Sequence, residues 1–344
     1  MIELAFEISY MEKANFFGKE SISIVPRVLG LIDRNSKSHT FGCSDRNYWH
    51  YLLHDFPNAR LHDTMWLLTL VYNLEEPNNR FSNNSKIAEW ALGIVKFWAK
   101  IQHENGAFDE VYPYEYSYCA TAFSTWWAGE TYLELQEIGR DLNESEKLIT
   151  PTISRLVTSA LKKAGKWLIK HNNLQVANQE AAAAVALKAI ALITNNKNFE
   201  EGAKIKINQI ISKQHPEGYY PEYDGPDIGY HSLSLSCLAT YRKHSETLPE
   251  LNSSLYRAVQ FLETKIDENG LYEWWRTSRR TQYLYPYGLA ACWDEGGKQI
   301  LERYMLGLSK DYVIRPSWMD DRYCTYMAID YLRTYKILLE KFKL

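Results

Sequence analysis

The chain has 344 residues, 46% of them hydrophobic, and a formal net charge of −3, which is enough for two average domains or for one large one with a substantial core. The slight negative charge, without a long basic run, excludes binding driven by neutralisation of nucleic-acid phosphates. The 25 Tyr and 11 Trp have apolar faces and polar tips that suit both packing and contact with sugar rings.

Helices dominate the predicted elements. Residues 1–40 are interpreted as an N-terminal extension that is irregular or holds a short hairpin. More apolar helices, which we expect to lie inside, are predicted at 61–75, 118–135, 178–194, 229–243, 282–293 and 321–339. More charged helices, which we expect to lie outside, are predicted at 85–103, 152–170, 198–213, 250–266 and 295–307, with a sixth at 46–54.

A repeat in the turns orders these helices. The segments 100–112, 213–223 and 265–275 each carry a basic residue, a polar run, a glycine, an aromatic residue and then an acid. Helical pairs with a period of about 50 residues indicate a repeat architecture with one continuous core. We therefore predict an all-α chain, a single domain over 1–344 in which the hairpins form a complete or incomplete (α/α)6 toroid. An open solenoid is the structural alternative.

The cysteines and the apolar runs bear on the compartment. The five cysteines are widely spread and form no CxxC pair, so neither a zinc site nor a disulfide framework is predicted, and a reducing compartment is favoured. Residues 1–17 lack the basic start and apolar run of a secretory signal, and no stretch approaches the 18 apolar residues of a membrane span. We expect a cytoplasmic protein without membrane span, metal or cofactor.

The loops before the inner helices would gather at one end of a toroid, where helix N-termini favour anions. Polar, ionisable and aromatic residues recur in these loops, as a carbohydrate cleft needs. The predicted catalytic residues are Asn178, Tyr230, His231 and Arg280. The predicted substrate-binding residues are His62, Asp63, Tyr116, Glu180, Asp227, Trp274, Arg279 and Arg322. Asp224 and Glu222 lie in the same loops.

Several of these residues also have a purely structural interpretation. An Asp before a helix, such as Asp63 or Asp227, is commonly an N-cap, and Glu180 could simply complement the helix dipole. His231 could be a hydrogen-bonded core histidine, and Trp274 could cap the core. These interpretations explain less well why Asn178, Tyr230–His231 and Arg279–Arg280 fall at corresponding places in the repeat.

Together the residue types suit β-elimination on a uronic acid. That reaction removes the weakly acidic proton next to a carboxylate, so an Asn, Gln or Arg must stabilise the charge that moves onto the carboxylate. A Tyr or His takes the proton, and a Tyr or His can protonate the leaving oxygen. Neither a metal nor a cofactor is needed.

Two segments resemble a known family. These are NNLQVANQEAAAAVALKAIALI (172–193) and PEYDGPDIGYHSLSLSCLATY (221–241). They are similar to the Asn-led, alanine-rich inner helix and the glycine-tyrosine helix entry of the heparinase II/III-type polysaccharide lyases, in their helical toroid domain. The resemblance implies that Asn178 neutralises the substrate carboxylate and that Tyr230 is the base or the acid, with His231 beside it.

Other functions stay open from the residues alone. A glycoside hydrolase on the same toroid would use a carboxylate pair, Asp63 or Glu180 with Asp227. A non-catalytic glycan-binding scaffold would bind a polysaccharide or oligosaccharide without turnover. A terpenoid-cyclase-like toroid is disfavoured, because Asp320–Asp321 in WMDDRY matches neither aspartate-rich signature of those enzymes.

Overall fold

The computed structural model describes residues 2–140, 148–223, 225–246 and 248–342, so the candidate Asp224 lies outside the described residues. The described residues are all-helical, with isolated bridges but no strand among them. The helices are α1 (Ile2–Leu31), α2 (Arg46–Trp49), α3 (Thr64–Tyr72), α4 (Ser85–Lys100), α5 (Tyr118–Ile138), α6 (Pro151–Lys170), α7 (Ala177–Thr194), α8 (Lys197–Ser212), α9 (Ile228–Lys243), α10 (Pro249–Lys265), α11 (Tyr287–Ala291), α12 (Lys298–Ser309) and α13 (Cys324–Phe342). None of the helices in these ranges is long and apolar enough to cross a bilayer.

The chain divides into two compact units. The N-terminal unit comprises Val25–Asn172 and Ala182–Ile205, and the C-terminal unit comprises Met1–Ile24, Asn173–Ala181 and Lys206–Leu344. In the N-terminal unit, α3 packs against α4 and α5, and α6 packs against α4 and α5. In the C-terminal unit, α9 packs against α10 and α11, and α11 packs against α12 and α13. The organisation of 1–344 as a single domain stays a prediction.

Burial separates two kinds of helix, as the composition of the segments predicted. Eight of the nine residues of α3 and thirteen of the sixteen of α9 are buried, which is the pattern of helices enclosed on all sides. By contrast, α4 buries eight of sixteen residues and α10 seven of seventeen. These two helices present one apolar face to the core and a polar face to solvent.

The glycine turns of the repeat are confirmed. Gly106, Gly218 and Gly270 have φ values of +97°, +104° and +76°, a region that glycine enters without strain. A Cβ on Gly106 would lie 2.4 Å from the carbonyl oxygen of Lys163 in α6, and one on Gly218 would lie 2.3 Å from that of Arg257 in α10. Gly106 and Gly218 are therefore required for two reasons: the positive φ of the turn and the close approach of its backbone to the next outer helix.

The N-terminal third differs from the prediction. Instead of an irregular extension or a hairpin, residues 2–31 form α1, although the run 22–25 is rich in β-branched residues. Tertiary contacts override this local preference: the ring of Phe17 meets that of Tyr331 in α13 at 4.9 Å, and the Ser21 hydroxyl donates to the Ala328 carbonyl at 3.0 Å.

Two shorter helices also differ from the prediction. Helix α2 covers only 46–49 of the outer helix predicted at 46–54, and Leu52 then has a φ of +53°, which a right-handed helix cannot continue through. Helix α11 begins only at Tyr287 rather than at 282, directly after Pro286. Proline disfavours helical backbone in the residue before it, so the chain enters this helix late.

Candidate functional site

A buried carboxylate lies at the centre of the candidate site, in the C-terminal unit. Glu222 is fully buried on the loop that leads into α9. Its Oε1 accepts a hydrogen bond from the backbone nitrogen of Asn178 at 2.9 Å, and its Oε2 accepts one from the Asn178 side-chain amide at 2.7 Å. Burial raises the pKa of Glu222 to about 7, against the lowering effect of the Asn178 hydrogen bonds and of Arg279. Glu222 thus joins the start of α7 to the loop before α9.

Arg279 is held in front of this carboxylate. Its Nη1 lies 3.8 Å from Glu222 Oε2. The guanidinium carbon lies 4.6 Å from the ring centroid of Tyr230 and 4.9 Å from that of Tyr223, within the range of a cation–π contact. The Arg279 side chain remains 29% exposed and Tyr223 is 49% exposed. The site therefore offers solvent a fixed cation flanked by two aromatic rings.

Asp227 positions both Tyr230 and Arg279. It is the N-cap of α9, and its Oδ1 accepts the backbone N–H of Tyr230 at 2.9 Å. Its Oδ2 accepts the Thr277 hydroxyl at 2.8 Å and the backbone N–H groups of Arg279 and Thr281 at 3.1 Å each. Since Asp227 is fully buried and its carboxylate accepts four donors, it fixes the loop that carries Arg279 against the start of α9.

Two predicted histidines are structural. His231 Nδ1 accepts from the backbone nitrogen of Tyr220 at 3.1 Å, so Nε2 carries the proton and donates to the Ala258 carbonyl at 3.1 Å. In the N-terminal unit, His62 accepts from Ser44 N at 3.4 Å and donates to the Asn58 carbonyl at 3.1 Å. Burial lowers the pKa of each histidine to about 4. Both are therefore neutral, and both ring nitrogens of each are engaged in hydrogen bonds within the protein.

Glu180 is also engaged within the protein. Its Oε2 lies 2.9 Å from Lys206 Nζ, with both side chains no more than 3% exposed, and its Oε1 accepts from the backbone nitrogen of Asn173. Burial lowers the pKa of Lys206. The pair ties α7 to α8 and leaves Glu180 little capacity to bind a substrate.

The remaining predicted residues are distributed between the units. In the N-terminal unit, Asp63 is buried, which raises its pKa to about 8, and Tyr116 is 40% exposed. In the C-terminal unit, Trp274 packs edge-on against the exposed Trp275. Arg280 is exposed and has a φ of +55°. The guanidinium beside Glu222 belongs to Arg279 rather than to Arg280.

One exposed arginine lies further along the C-terminal unit. Arg322 is exposed, and its guanidinium carbon lies 5.6 Å from the ring centroid of Tyr323. Of the residues predicted from the sequence, the structure brings Asn178, Tyr230 and Arg279 together through Glu222 and Asp227.

The position of Glu222 at the centre of the candidate site was not predicted from the sequence, although the repeat contains a signal for it. Glu222 is the fourth residue after Gly218, and Glu110 is the fourth after Gly106. In the N-terminal unit, Glu110 Oε1 lies 4.0 Å from Arg60 Nε, and the Arg60 guanidinium carbon lies 4.3 Å from the ring of Phe123. The repeat thus places a carboxylate paired with an aromatic-stacked arginine at the same position twice.

Metal-binding side chains are not grouped together in the described part of the chain. Within the described ranges no group of three or more His, Cys, Asp or Glu residues could hold a metal ion, and all five cysteines are thiols rather than halves of a disulfide. Comparison of the chain with protein-family models and with curated proteins gives no match. Function therefore has to be inferred from the geometry around Glu222 and Arg279.

Proposed function

We propose that this chain acts on a uronic-acid-containing polysaccharide or oligosaccharide and cleaves it by β-elimination. The observation that carries the proposal is the Arg279 guanidinium, partly exposed and held between the rings of Tyr223 and Tyr230. A guanidinium matches a carboxylate in shape and charge, and the exposed face of Tyr223 suits contact with a sugar ring. A uronic acid carries both a carboxylate for Arg279 and a sugar ring for Tyr223 in one residue.

Arg279 and Tyr230 divide the chemistry. Arg279 binds the substrate carboxylate and stabilises the negative charge that develops on it as the neighbouring carbon loses its proton. Tyr230, packed on the same guanidinium, is the base, and its phenolate oxygen accepts this proton. The electron pair of the C–H bond forms the new double bond, the C–O bond to the leaving sugar breaks, and the leaving oxygen takes up a proton from solvent.

Asn178, Glu222 and Asp227 are positioning residues in this scheme. The Asn178 amide donates to Glu222 rather than facing outward, so the role of binding the substrate carboxylate passes to Arg279. Glu222 pairs with the guanidinium of Arg279, and Asp227 accepts hydrogen bonds from the backbone nitrogens of Tyr230 and Arg279. The arrangement keeps the base and the cation in a fixed relation before substrate arrives, which lowers the reorganisation needed in the transition state.

Hydrolysis is the second candidate, because a carboxyl with a pKa of about 7, such as Glu222, is what a general acid requires. Elimination is favoured because the carboxylates that hydrolysis would use are engaged within the protein. Glu222 is fully buried and both of its oxygens accept hydrogen bonds, and the carboxylate of the nearby Asp227 accepts four hydrogen bonds.

We infer that the hairpins close into an (α/α)6 toroid related to the toroid domain of the heparinase II/III-type lyases. Support comes from the repeated glycine turns and from the side-by-side packing of successive inner helices within each unit. The five cysteine thiols support a reducing compartment such as the cytoplasm.

Tyr230→Phe tests the assignment of the base. This variant loses one hydroxyl, so we expect turnover of uronate oligosaccharides to fall by at least about a hundredfold while their dissociation constant and the unfolding midpoint stay unchanged. Tyr256→Phe, an exposed tyrosine on α10, is the matched control and should behave as the parent. Full activity in Tyr230→Phe would refute the role of this base. If the parent binds uronates and cleaves nothing, the chain is a binding scaffold.

A further inference from the structure

A loop of the N-terminal unit exposes two adjacent leucines to solvent. All residues of the segment 50–55, directly after α2, are exposed, and we call this segment the leucine loop. Leu52 and Leu53 at its centre are 77% and 72% exposed, and Tyr51 before them is 54% exposed. Large apolar side chains that lie together at the surface commonly mark a site that a partner covers.

Hydrogen bonds, rather than burial of its own side chains, hold this loop to the rest of the unit. The backbone nitrogen of Leu53 donates to the Asn47 carbonyl in α2 at 2.8 Å. Just before the loop, the Trp49 indole donates to the carbonyl of Leu31, the last residue of α1, at 2.8 Å. The exposed leucines are therefore presented from an anchored base.

Leucine is an unfavourable residue at position 52 for two independent reasons. Leu52 has a φ of +53°, a left-handed conformation in which asparagine is common and a bulky residue is an outlier. Its side chain is also largely exposed, so it gains little from packing within the unit. Asparagine would suit both the backbone and the solvent. Since backbone strain concentrates at functional sites, this leucine indicates a role other than folding.

Basic side chains lie beside the base of the leucine loop. The Arg46 guanidinium carbon lies 5.3 Å from the ring centroid of Tyr51 and 6.0 Å from that of Trp49. Arg34 and Lys37 are exposed and follow the end of α1, to which the Trp49 indole is bonded. An anionic partner would therefore find cations next to the apolar tip.

The acids of the same region are mostly withdrawn from solvent. Asp33 is buried and accepts the Thr40 hydroxyl at 2.7 Å, and Asp45 is buried and caps α2. The exposed acid within 25–60 is Asp55. The exposed basic residues of that range are Arg27, Arg34 and Lys37. The exposed charge around the loop is therefore positive, although the whole chain is slightly negative.

We propose that the leucine loop inserts into the surface of an anionic lipid membrane and attaches the chain to it peripherally. Leu52 and Leu53 enter the acyl boundary, and Tyr51 lies at the head-group level, where amphipathic rings are favoured. Each basic residue near the surface adds about fivefold in affinity for anionic lipid. An acidic protein would need a preformed pocket for the leucines, whereas a bilayer supplies anionic head groups and hydrocarbon together. The proposal is independent of the proposed function.

The test is sedimentation of the full-length protein with sucrose-loaded vesicles. One set of vesicles contains equal parts of phosphatidylserine and phosphatidylcholine, and the other contains phosphatidylcholine alone. The variant Leu52→Asn/Leu53→Asn removes the apolar tip and suits the backbone at position 52. The variant Arg34→Gln/Lys37→Gln removes two exposed charges. Thermal unfolding of every variant checks that the fold is retained.

Each variant has a matched control elsewhere in the chain. Leu192→Asn/Leu306→Asn replaces two leucines that are 46% and 42% exposed on α7 and α12. Lys204→Gln/Lys243→Gln removes two exposed charges from α8 and α9. The controls change the composition and the net charge of the protein as the test variants do, and they leave the leucine loop intact.

We expect the parent to bind anionic vesicles reversibly, with a partition coefficient at least about tenfold higher than for neutral vesicles. The leucine variant should lower the partition coefficient for anionic vesicles at least about tenfold, because the tip no longer buries apolar surface. The Arg34→Gln/Lys37→Gln variant should lower it by about tenfold or more. Both controls should bind as the parent does.

Three results would overturn the proposal. The first is a parent that does not sediment with anionic vesicles, and the second is a leucine variant that binds them as the parent does. The third is a parent that binds no vesicles and is a dimer by light scattering, while the leucine variant is a monomer. That last result would assign the leucine loop to a contact between two copies of the chain.

Discussion

Replacing Glu222 by Gln removes a carboxyl whose ionisation costs the folded protein stability. The pKa of Glu222 is raised from 4.5 to about 7, mainly by burial. The folded state therefore holds this proton more tightly than the unfolded state does. The contribution of this group to stability should be highest below about pH 4.5, fall as the pH rises towards about 7, and then level off, because both states are ionised above that pH.

The size of the effect follows from the same values. A pKa raised from 4.5 to about 7 corresponds to about 3 kcal/mol of unfolding free energy once both states are ionised. The neutral amide of the variant has no proton to lose and so no such dependence. The difference in unfolding free energy between Glu222→Gln and the parent should therefore shift in favour of the variant by roughly 2–3 kcal/mol between about pH 5 and about pH 8.

Urea unfolding of the parent and the variant across this pH range measures the difference directly. Using the difference cancels the other ionisable groups, which both proteins share, as well as any constant cost of replacing the carboxyl. Glu217→Gln removes an exposed acid from the same loop and is the control. A difference that stays the same at every pH would refute the view that burial, rather than pairing with Arg279, dominates at Glu222.

Two further substitutions test the contacts around the site. Arg279→Lys keeps the charge but loses the planar group that stacks on Tyr223 and Tyr230, so calorimetry should show uronate binding at least about tenfold weaker; unchanged affinity would mean that charge alone suffices. Glu180→Gln breaks the buried pair with Lys206 and should lower the unfolding free energy, measured in urea, by about 3 kcal/mol. The control is Glu89→Gln, which breaks the surface pair with Lys86. Equally small losses of unfolding free energy in both variants would contradict a stabilising buried pair.

The helices could be predicted from the sequence because each depends on a local pattern. Continuous apolar runs predicted α5, α7 and α9 within a few residues, and the glycine of each turn was recognisable from its neighbours. Helix α1 was not, because its β-branched run favours a strand locally and only its packing on α13 decides the outcome.

The candidate site could be predicted in part. Asn178, Tyr230 and Arg279 were identified because they begin helices or lie in the loops before them, and position in the chain is visible in the sequence. Burial is not visible there: whether Glu222 is a solvated acid or the centre of the site depends on contacts made across 44 residues of chain. Nor could the sequence distinguish Arg279 from Arg280, since adjacent residues differ only in the direction that the folded backbone gives them.

The most direct measurement is the absorbance of an unsaturated uronate while the parent protein is incubated with uronate oligosaccharides. Elimination leaves a double bond beside the carboxylate of the new chain end, and hydrolysis does not. The proposed function predicts that absorbance rises in proportion to the bonds cleaved and that the rise is lost in Tyr230→Phe. New reducing ends that appear without any rise in absorbance, and that depend on Glu222, would contradict elimination and establish hydrolysis.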